Sequence, residues 1–273
     1  DLSGLMWSGA EDELKLTANT QPALMAVSVA AMRALEEAHG IGAAKATFIA
    51  GHSLGEYSAL ASAGAISVGD CAKVLRIRGN AMQDAVPAGE GAMAALLGAS
   101  PEQAAALCAA GASEGPCEIA NDNAPGQIVI SGAKAAVELA ISGAKEAGVK
   151  KAVLLPVSAP FHCSLMQPAA DAMSEALSNI EIKAPAAPLV ANVTATAGSD
   201  PEAIRNQLVA QVTGQVRWTE SVQFMAAEGV ALTIEAGAGK VLSVMNRRTV
   251  RALEGLTMGS PEEINAVAER LNA

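Results

Sequence analysis

One stretch limits the fold of this chain more than any other: TFIAGHSLGEYSAL, residues 47–60. An apolar run ends at Gly51-His52-Ser53-Leu54-Gly55, and a helical pattern starts immediately after it. Glycines on both sides of a serine let neighbouring backbones pass at a tight strand-to-helix turn, a geometry of α/β folds. Such a turn lifts the serine Oγ above the sheet, and the free N–H groups of the next helix point at it. Ser53 therefore has two readings: a nucleophile on an elbow, or the N-cap of that helix.

The flanking segments support an α/β core. NTQPALMAVSVAAMRALEEAHG predicts a helix capped by Asn19 or Thr20, with Pro22 in its first turn and Gly40 at its end. SVGDCAKVLRIRGNAMQDAV predicts another, which carries Arg76 and Arg78. From about Gly89 the pattern changes. GAMAALLGA predicts a strand, and SPEQAAALCAAG a helix opened by Ser100 and Pro101. CEIANDNAPGQIVISG predicts two strands about an Asn/Asp/Pro/Gly turn, followed by a helix in AKAAVELAISGAKEAG and a strand in KAVLLPVS. That β-α-β-β-α-β order is the split-βαβ, ferredoxin-like pattern. Beyond Pro160 the alternation resumes, with strands in APLVANV and ALTIEAG. We expect an α/β-hydrolase-like core from residues 1–88 and 160–273, an inserted ferredoxin-like subdomain from 89–159, and a cleft between them.

Composition excludes several classes. With a net charge of −10 and 2% aromatic residues, the chain has neither the basic surface nor the stacking rings of a nucleic-acid binder, nor any attraction to anionic membranes. No apolar run reaches the length of a membrane span, and no charged-then-apolar leader is recognisable. Cys71, Cys108, Cys117 and Cys163 form no C-x-x-C pair. They are expected as reduced, buried thiols in a cytoplasmic protein, and no metal set is expected.

A serine nucleophile requires a base, and the chain has three histidines. His39 closes a helix, where it complements the dipole. His52 adjoins Ser53, so its side chain should point away from the serine. His162, in LLPVSAPFHCSLM, follows a strand on the edge where loops build sites, and it is left as the base.

GHSLGEYSAL, RIRGNAMQDAVPAGEGAM, NAPGQIVISG, PVSAPFHCSLM and EAGAGKVL, in this order, together resemble the acyltransferase family of fatty-acid and polyketide synthesis. The resemblance is to malonyl-CoA:acyl carrier protein transacylases and to acyltransferase domains of polyketide synthases. It implies a ping-pong transfer with malonyl-CoA as substrate and no bound cofactor: Ser53 attacks the thioester, His162 is the general base, and the phosphopantetheine thiol of acyl carrier protein takes the malonyl group. By position, Arg78 matches the family arginine that holds the malonyl carboxylate, a task that suits a guanidinium fork. Gln211, in LVAQVTGQVRW, matches the residue whose backbone carbonyl orients the histidine. Gln21 matches a glutamine lining the site, Leu54 supplies an oxyanion N–H, and Asn121 and Asn123 match positions near the cleft, although turn chemistry accounts for both asparagines equally well. Phe161 occupies a position where polyketide relatives carry phenylalanine for malonyl and serine for methylmalonyl, though serine also occurs there in malonyl-specific bacterial relatives. In the family a first strand and a G-Q-G-S-Q-like turn precede this region, and its glutamine N–H is the second oxyanion donor. We expect such residues upstream of Asp1.

Family carrier proteins are acidic, so docking on this acidic chain needs a local basic patch. Lys150-Lys151 and Arg247-Arg248, the latter with Arg251 and Lys240, are the two candidate clusters; each also reads as solvated helix-end charge. A monomer is expected. Two rival readings stay open: a serine hydrolase or thioesterase on the same elbow, and a truncated chain that binds carrier protein without turnover.

Overall fold

In the computed structural model, which describes residues 1–157 and 159–273, the chain opens with α1 (Leu2–Ser8), α2 (Glu11–Lys15) and the long α3 (Thr17–His39). Gly40 ends α3 in the left-handed conformation, φ 68°, as its sequence position suggested. The start differs from expectation. Asn19 and Thr20 lie inside the helix, where their side chains donate to the carbonyls of Glu13 and Leu14 and fasten α2 to α3. Pro22 sits in the second turn.

β1 (Ile49–Ala50), α4 (Leu54–Ser62) and α5 (Val68–Asp84) follow. Ser67 caps α5 by accepting from the Asp70 N–H. The next six elements are β2 (Gly91–Leu97), α6 (Pro101–Gly111), β3 (Cys117–Ala124), β4 (Gln127–Ala133), α7 (Lys134–Ser142) and β5 (Lys151–Leu154). Ser100 and Gln103 form a complete capping box on α6. The helix predicted over 133–148 stops at Ser142, ahead of Gly143, and the end of the last predicted strand, Ser158, lies outside the described residues. The chain closes with α8 (Gln167–Ser178), β6 (Leu189–Val190), β7 (Ala197–Gly198), α9 (Pro201–Thr213), β8 (Val216–Arg217), α10 (Trp218–Ala227), β9 (Leu232–Ala236), α11 (Val241–Thr249), β10 (Glu254–Met258) and α12 (Pro261–Asn272).

Among the described residues the strands form three sheets. β2 to β5 lie in the order β5-β2-β4-β3, all antiparallel neighbours, with α6 and α7 burying Leu96, Leu107, Ile128, Ile130 and Val137 against one face. β8, from outside residues 89–159, joins the free edge parallel to β3, so the sheet is stitched to the rest of the chain at Asn121–Asp122. Elsewhere β1 pairs in parallel with β6, which pairs antiparallel with β7, and β9 pairs in parallel with β10.

The main core gathers Met25, Tyr57, Leu60, Leu75, Met173 and Leu208 from α3, α4, α5, α8 and α9. Burying each such side chain contributes about 1.5–3 kcal/mol. This packing fixes α4 against β1 and thereby the turn that joins them. Among the described residues, no helix is long and apolar enough to cross a membrane.

Candidate active site

The turn between β1 and α4 is built from strain and its compensation. Ser53 has φ 52° and ψ −110°, a conformation that costs a non-glycine residue about 1–3 kcal/mol. Two side chains hold it there. Asn192, just past the end of β6, accepts the Ser53 N–H through Oδ1 at 2.8 Å and donates from Nδ2 to the Gly51 carbonyl at 2.8 Å. Gln211, in α9, donates to the Ser53 carbonyl at 3.0 Å. The Ser53 side chain makes no cap to α4, so the helix-cap reading is set aside. Gly51 has to be glycine, because a Cβ there would overlap the backbone of Gly55. Gly51→Ala is expected to cost about 2–3 kcal/mol of stability, read as a lowered denaturant midpoint.

The freed Ser53 Oγ lies 2.8 Å from Nε2 of His162. His162, itself at φ 58° and buried, reaches from the loop before α8. Its Nδ1 lies 2.9 Å from the Gln211 backbone oxygen. A carbonyl only accepts, so Nδ1 carries the proton and Nε2 is left to accept the serine O–H. Burial and the neighbouring Arg78 charge push the His162 pKa down to about 3, against a smaller upward effect from Gln211. The imidazole is therefore neutral across the physiological range. Acylation of Ser53 is expected to show no loss of rate at a histidine-like pH near 6.5, and to fall only well below it in a stopped-flow pH series. The same shift acts on stability. The unfolded chain binds the proton first, so this contribution is complete above pH 6.5 and is lost as the pH falls toward about 3.

Arg78, in α5, is 1% exposed and lies beside the same oxygen. One terminal nitrogen donates to Gln21 Oε1 at 2.8 Å. The other donates to Gln211 Oε1 at 2.8 Å and to Ser53 Oγ at 3.1 Å. Its Nε has no partner, and the group stacks over the Tyr57 ring at 5.5 Å. Among the described residues no carboxylate lies within ion-pair distance of it. Among the described residues this fully buried cation is thus held only by neutral amides and a hydroxyl.

Ser53, His162, Arg78, Gln21 and Gln211 are thus brought together. Gln21 lies behind Arg78, with its amide nitrogen on Thr17 Oγ1 at 2.9 Å. Leu54 heads α4, so its N–H faces forward from the turn. Phe161 packs between the main core and the smaller cluster of Met93, Ala120 and Val129. Asn123 accepts from His52 Nε2 at 2.7 Å, and the His52 ring tilts against Trp218, so His52 does point away from Ser53. Asn121 is buried at a bulge of β3 opposite Val129 and Val216. His39 Nε2 meets Asn265 Oδ1 at 2.9 Å on the surface. Lys150, Lys151, Arg247 and Arg248 are exposed and belong to no part of this centre. All four cysteines are free and buried.

Sequence reasoning missed two members, Asn192 and Glu56. Ser53-Leu54-Gly55-Glu56 has the spacing of a capping box, which hides a different use. Glu56 is fully buried, and its Oε2 accepts from Gln211 Nε2 at 2.7 Å and from the Asn192 N–H at 3.1 Å. Burial outweighs these bonds and Arg78 and pushes its pKa up to about 7. The signal for Asn192 was its place just after a strand beside β1, at the edge where α/β sheets build sites. The side chain of Gln211 was missed as well, since only its carbonyl was expected to act.

A strained serine bonded to a buried neutral histidine, on a mixed α/β fold, defines an enzyme class that works through a covalent serine intermediate. The chain belongs to the acyl transferase domain family, whose model matches residues 1–265. It is 44% identical over 269 residues to the malonyl CoA-acyl carrier protein transacylase of Escherichia coli K12, covering 98% of this chain and 86% of that protein. The acyl-carrier-protein-S-malonyltransferase of Bartonella henselae superposes with a TM-score of 0.97 at 53% identity, covering 100% of this chain and 87% of the other. A malonyl-transacylase solved in complex with its type II polyketide acyl carrier protein matches at a TM-score of 0.94 and 42% identity, over 99% of this chain and 86% of the other.

Proposed function

We propose that the protein transfers the malonyl group from malonyl-CoA to the phosphopantetheine thiol of acyl carrier protein, as an acyltransferase of fatty-acid synthesis. The buried, unpaired guanidinium of Arg78 carries this reading, because it lies against the nucleophile and calls for a carboxylated acyl group. A serine hydrolase of simple esters gains nothing from such a cation.

Each residue then has a defined task. Ser53 Oγ attacks the thioester carbonyl while His162 Nε2 takes its proton. The Leu54 N–H donates to the oxyanion, and one such donor is worth about 10²–10³ in rate. His162 returns the proton to the departing coenzyme A sulfur, leaving malonyl-Ser53. The carrier thiol then attacks in the same way, with His162 as base, and Ser53 recovers its proton. The Gln211 carbonyl keeps His162 in the required tautomer. Arg78 holds the malonyl carboxylate, and Gln21 fixes the guanidinium plane. The Phe161 ring fills space beside His162 that an α-methyl group would need, a preference of about 1–3 kcal/mol for malonyl. Asn121 and Asn123 line the side of the cleft contributed by β3.

We read residues 89–159 as a ferredoxin-like subdomain inserted in an α/β-hydrolase-like core, which makes the site an inter-subdomain cleft. The buried free thiols suit a cytoplasmic monomer. For the carrier protein we assign one basic strip. The Lys150 side chain packs beside Gly98, Gly98 donates to the Gly126 carbonyl, and Arg248 donates to Pro125 in the same turn. The two basic clusters, distant in sequence, thus flank a single turn, and Arg247, Arg248 and Arg251 line a groove with Val244. Arg247→Glu with Arg248→Glu is expected to raise the carrier-protein KM about tenfold at low salt, with the difference shrinking at high salt. An unchanged KM at low salt would remove the strip from the docking surface.

The test of the activity is intact-mass measurement after brief mixing with malonyl-CoA. A malonyl adduct that moves to added holo carrier protein supports the transferase; free malonate with no adduct identifies a hydrolase.

A further inference from the structure

Glu56 is a buried carboxyl group to which the transfer mechanism assigns no part. It lies behind the acyl site, connected to it through one amide: Arg78 donates to Gln211 Oε1 at 2.8 Å, and Gln211 Nε2 donates to Glu56 Oε2 at 2.7 Å. The second donor to Oε2 is the Asn192 N–H, also neutral. Oε1 is buried and has no partner. Among the described residues Glu56 is thus the carboxylate next behind an otherwise unpaired guanidinium.

We propose that Glu56 is a specificity-determining positioning residue, which balances the Arg78 charge while the acyl site is empty and takes up one proton, on Oε1, when a carboxylated acyl group arrives. The proposal rests on the malonyl-transfer reading and deepens it. With Glu56 ionised, the empty site holds one positive and one negative charge. A malonyl carboxylate on Arg78 adds a second negative charge in a region closed to water, and like charges so placed do not both stay ionised. A proton from solvent restores the balance. An acetyl group brings no charge and no proton.

Among the described titratable groups around Arg78, Tyr57 and Glu56, Glu56 is the one that titrates near neutrality. From α5 come Arg78 and Cys71, whose thiol burial pushes up to about 12. On α4 itself the Tyr57 hydroxyl is pushed up by burial. From the loop before α8, His162 is held down at about 3, and from the turn before α4, His52 is lowered by burial. α3 contributes the neutral Gln21, and the segment just past β6 the neutral Asn192. Glu56, pushed up by burial to about 7, has room to change charge in the working range.

The experiment compares second-order rates of Ser53 acylation by malonyl-CoA and acetyl-CoA from pH 6 to 9, by quenched-flow intact mass. The ratio cancels ionisations of coenzyme A and of His162, which both substrates share. In the native protein the malonyl preference is expected to fall about tenfold as the pH rises from 7 to 8.5, the effect of a displacement of about two pKa units from about 7. In Glu56→Gln, which keeps the shape but not the charge, the ratio is expected to be flat. A flat ratio in the native protein, or an unchanged slope in Glu56→Gln, overturns the proposal while leaving malonyl transfer intact. No malonyl adduct at any pH overturns the transfer reading and this proposal with it. Should Glu56→Gln not fold, calorimetric titration of the Ser53→Ala protein with malonyl-CoA in two buffers of different ionisation heat decides the matter. Uptake of roughly three-quarters of a proton near pH 7.5 supports the proposal, and none overturns it.

Discussion

Replacing Ser53 by alanine is expected to abolish the malonyl adduct and to lower kcat/KM for transfer by about 10⁴–10⁶-fold. The size follows from what the oxygen alone does. It is the atom 2.8 Å from His162 Nε2, and among the described residues no other hydroxyl or thiol is hydrogen-bonded to that nitrogen. Cys163, next to the base in sequence, donates to the Pro160 carbonyl and lies buried. The variant should fold at least as well as the native chain. The strained backbone at φ 52° is held through the Ser53 N–H and carbonyl, which alanine retains. Intact mass reads the adduct, and a denaturant titration reads the fold. A persistent malonyl adduct on Ser53→Ala would move the nucleophile elsewhere.

Replacing Arg78 comes next in expected size, and its signature is selectivity. Removing one partner of a buried, hydrogen-bonded charge pair costs about 2–5 kcal/mol, which is roughly 30- to 5,000-fold in kcat/KM for malonyl-CoA. Lysine is not a substitute. A single ammonium cannot hold Gln21 and Gln211 as the guanidinium does and still present a planar pair of donors to a carboxylate. Arg78→Met separates function from folding. It leaves two amide oxygens without their donor, each worth about 1–3 kcal/mol, but it also removes a buried cation that has no ion pair among the described residues. Stability should therefore change little, while malonyl-CoA turnover falls and acetyl-CoA turnover does not. Equal losses for both substrates would assign Arg78 to the architecture and not to the acyl group.

Ser53 was visible in the sequence for a local reason, whereas Arg78 was marked only by its match to the acyltransferase family. Ser53 was marked by its flanking glycines, and Gly51 is required because its Cβ would collide with Gly55 only four residues on. His162 emerged because the chain has so few histidines. The β-α-β-β-α-β order of 89–159 was legible from alternating periods and turn residues, and Ser100 with Pro101 marked the start of α6 correctly. Helix ends with less distinctive signals were misplaced. Asn19 and Thr20 look like caps, yet their hydrogen bonds go to α2, a neighbour whose position local sequence does not specify.

What the sequence determined by itself is therefore the part of the protein set by short-range sterics: the elbow, the order of strands and helices, and the chemical types available for catalysis. Only the tertiary structure decided how those types are used. Gln211 serves His162 with its carbonyl, Arg78 with its amide oxygen and Glu56 with its amide nitrogen, and these three partners come from three separate segments. β8 likewise joins a sheet built almost entirely from another stretch of chain. Glu56, which has the spacing of a surface capping residue, became a buried acid because α9 and the end of β6 close over it. Burial and hydrogen-bond direction are properties of the packed whole, and they place an otherwise ordinary carboxylate and arginine in a buried network beside Ser53.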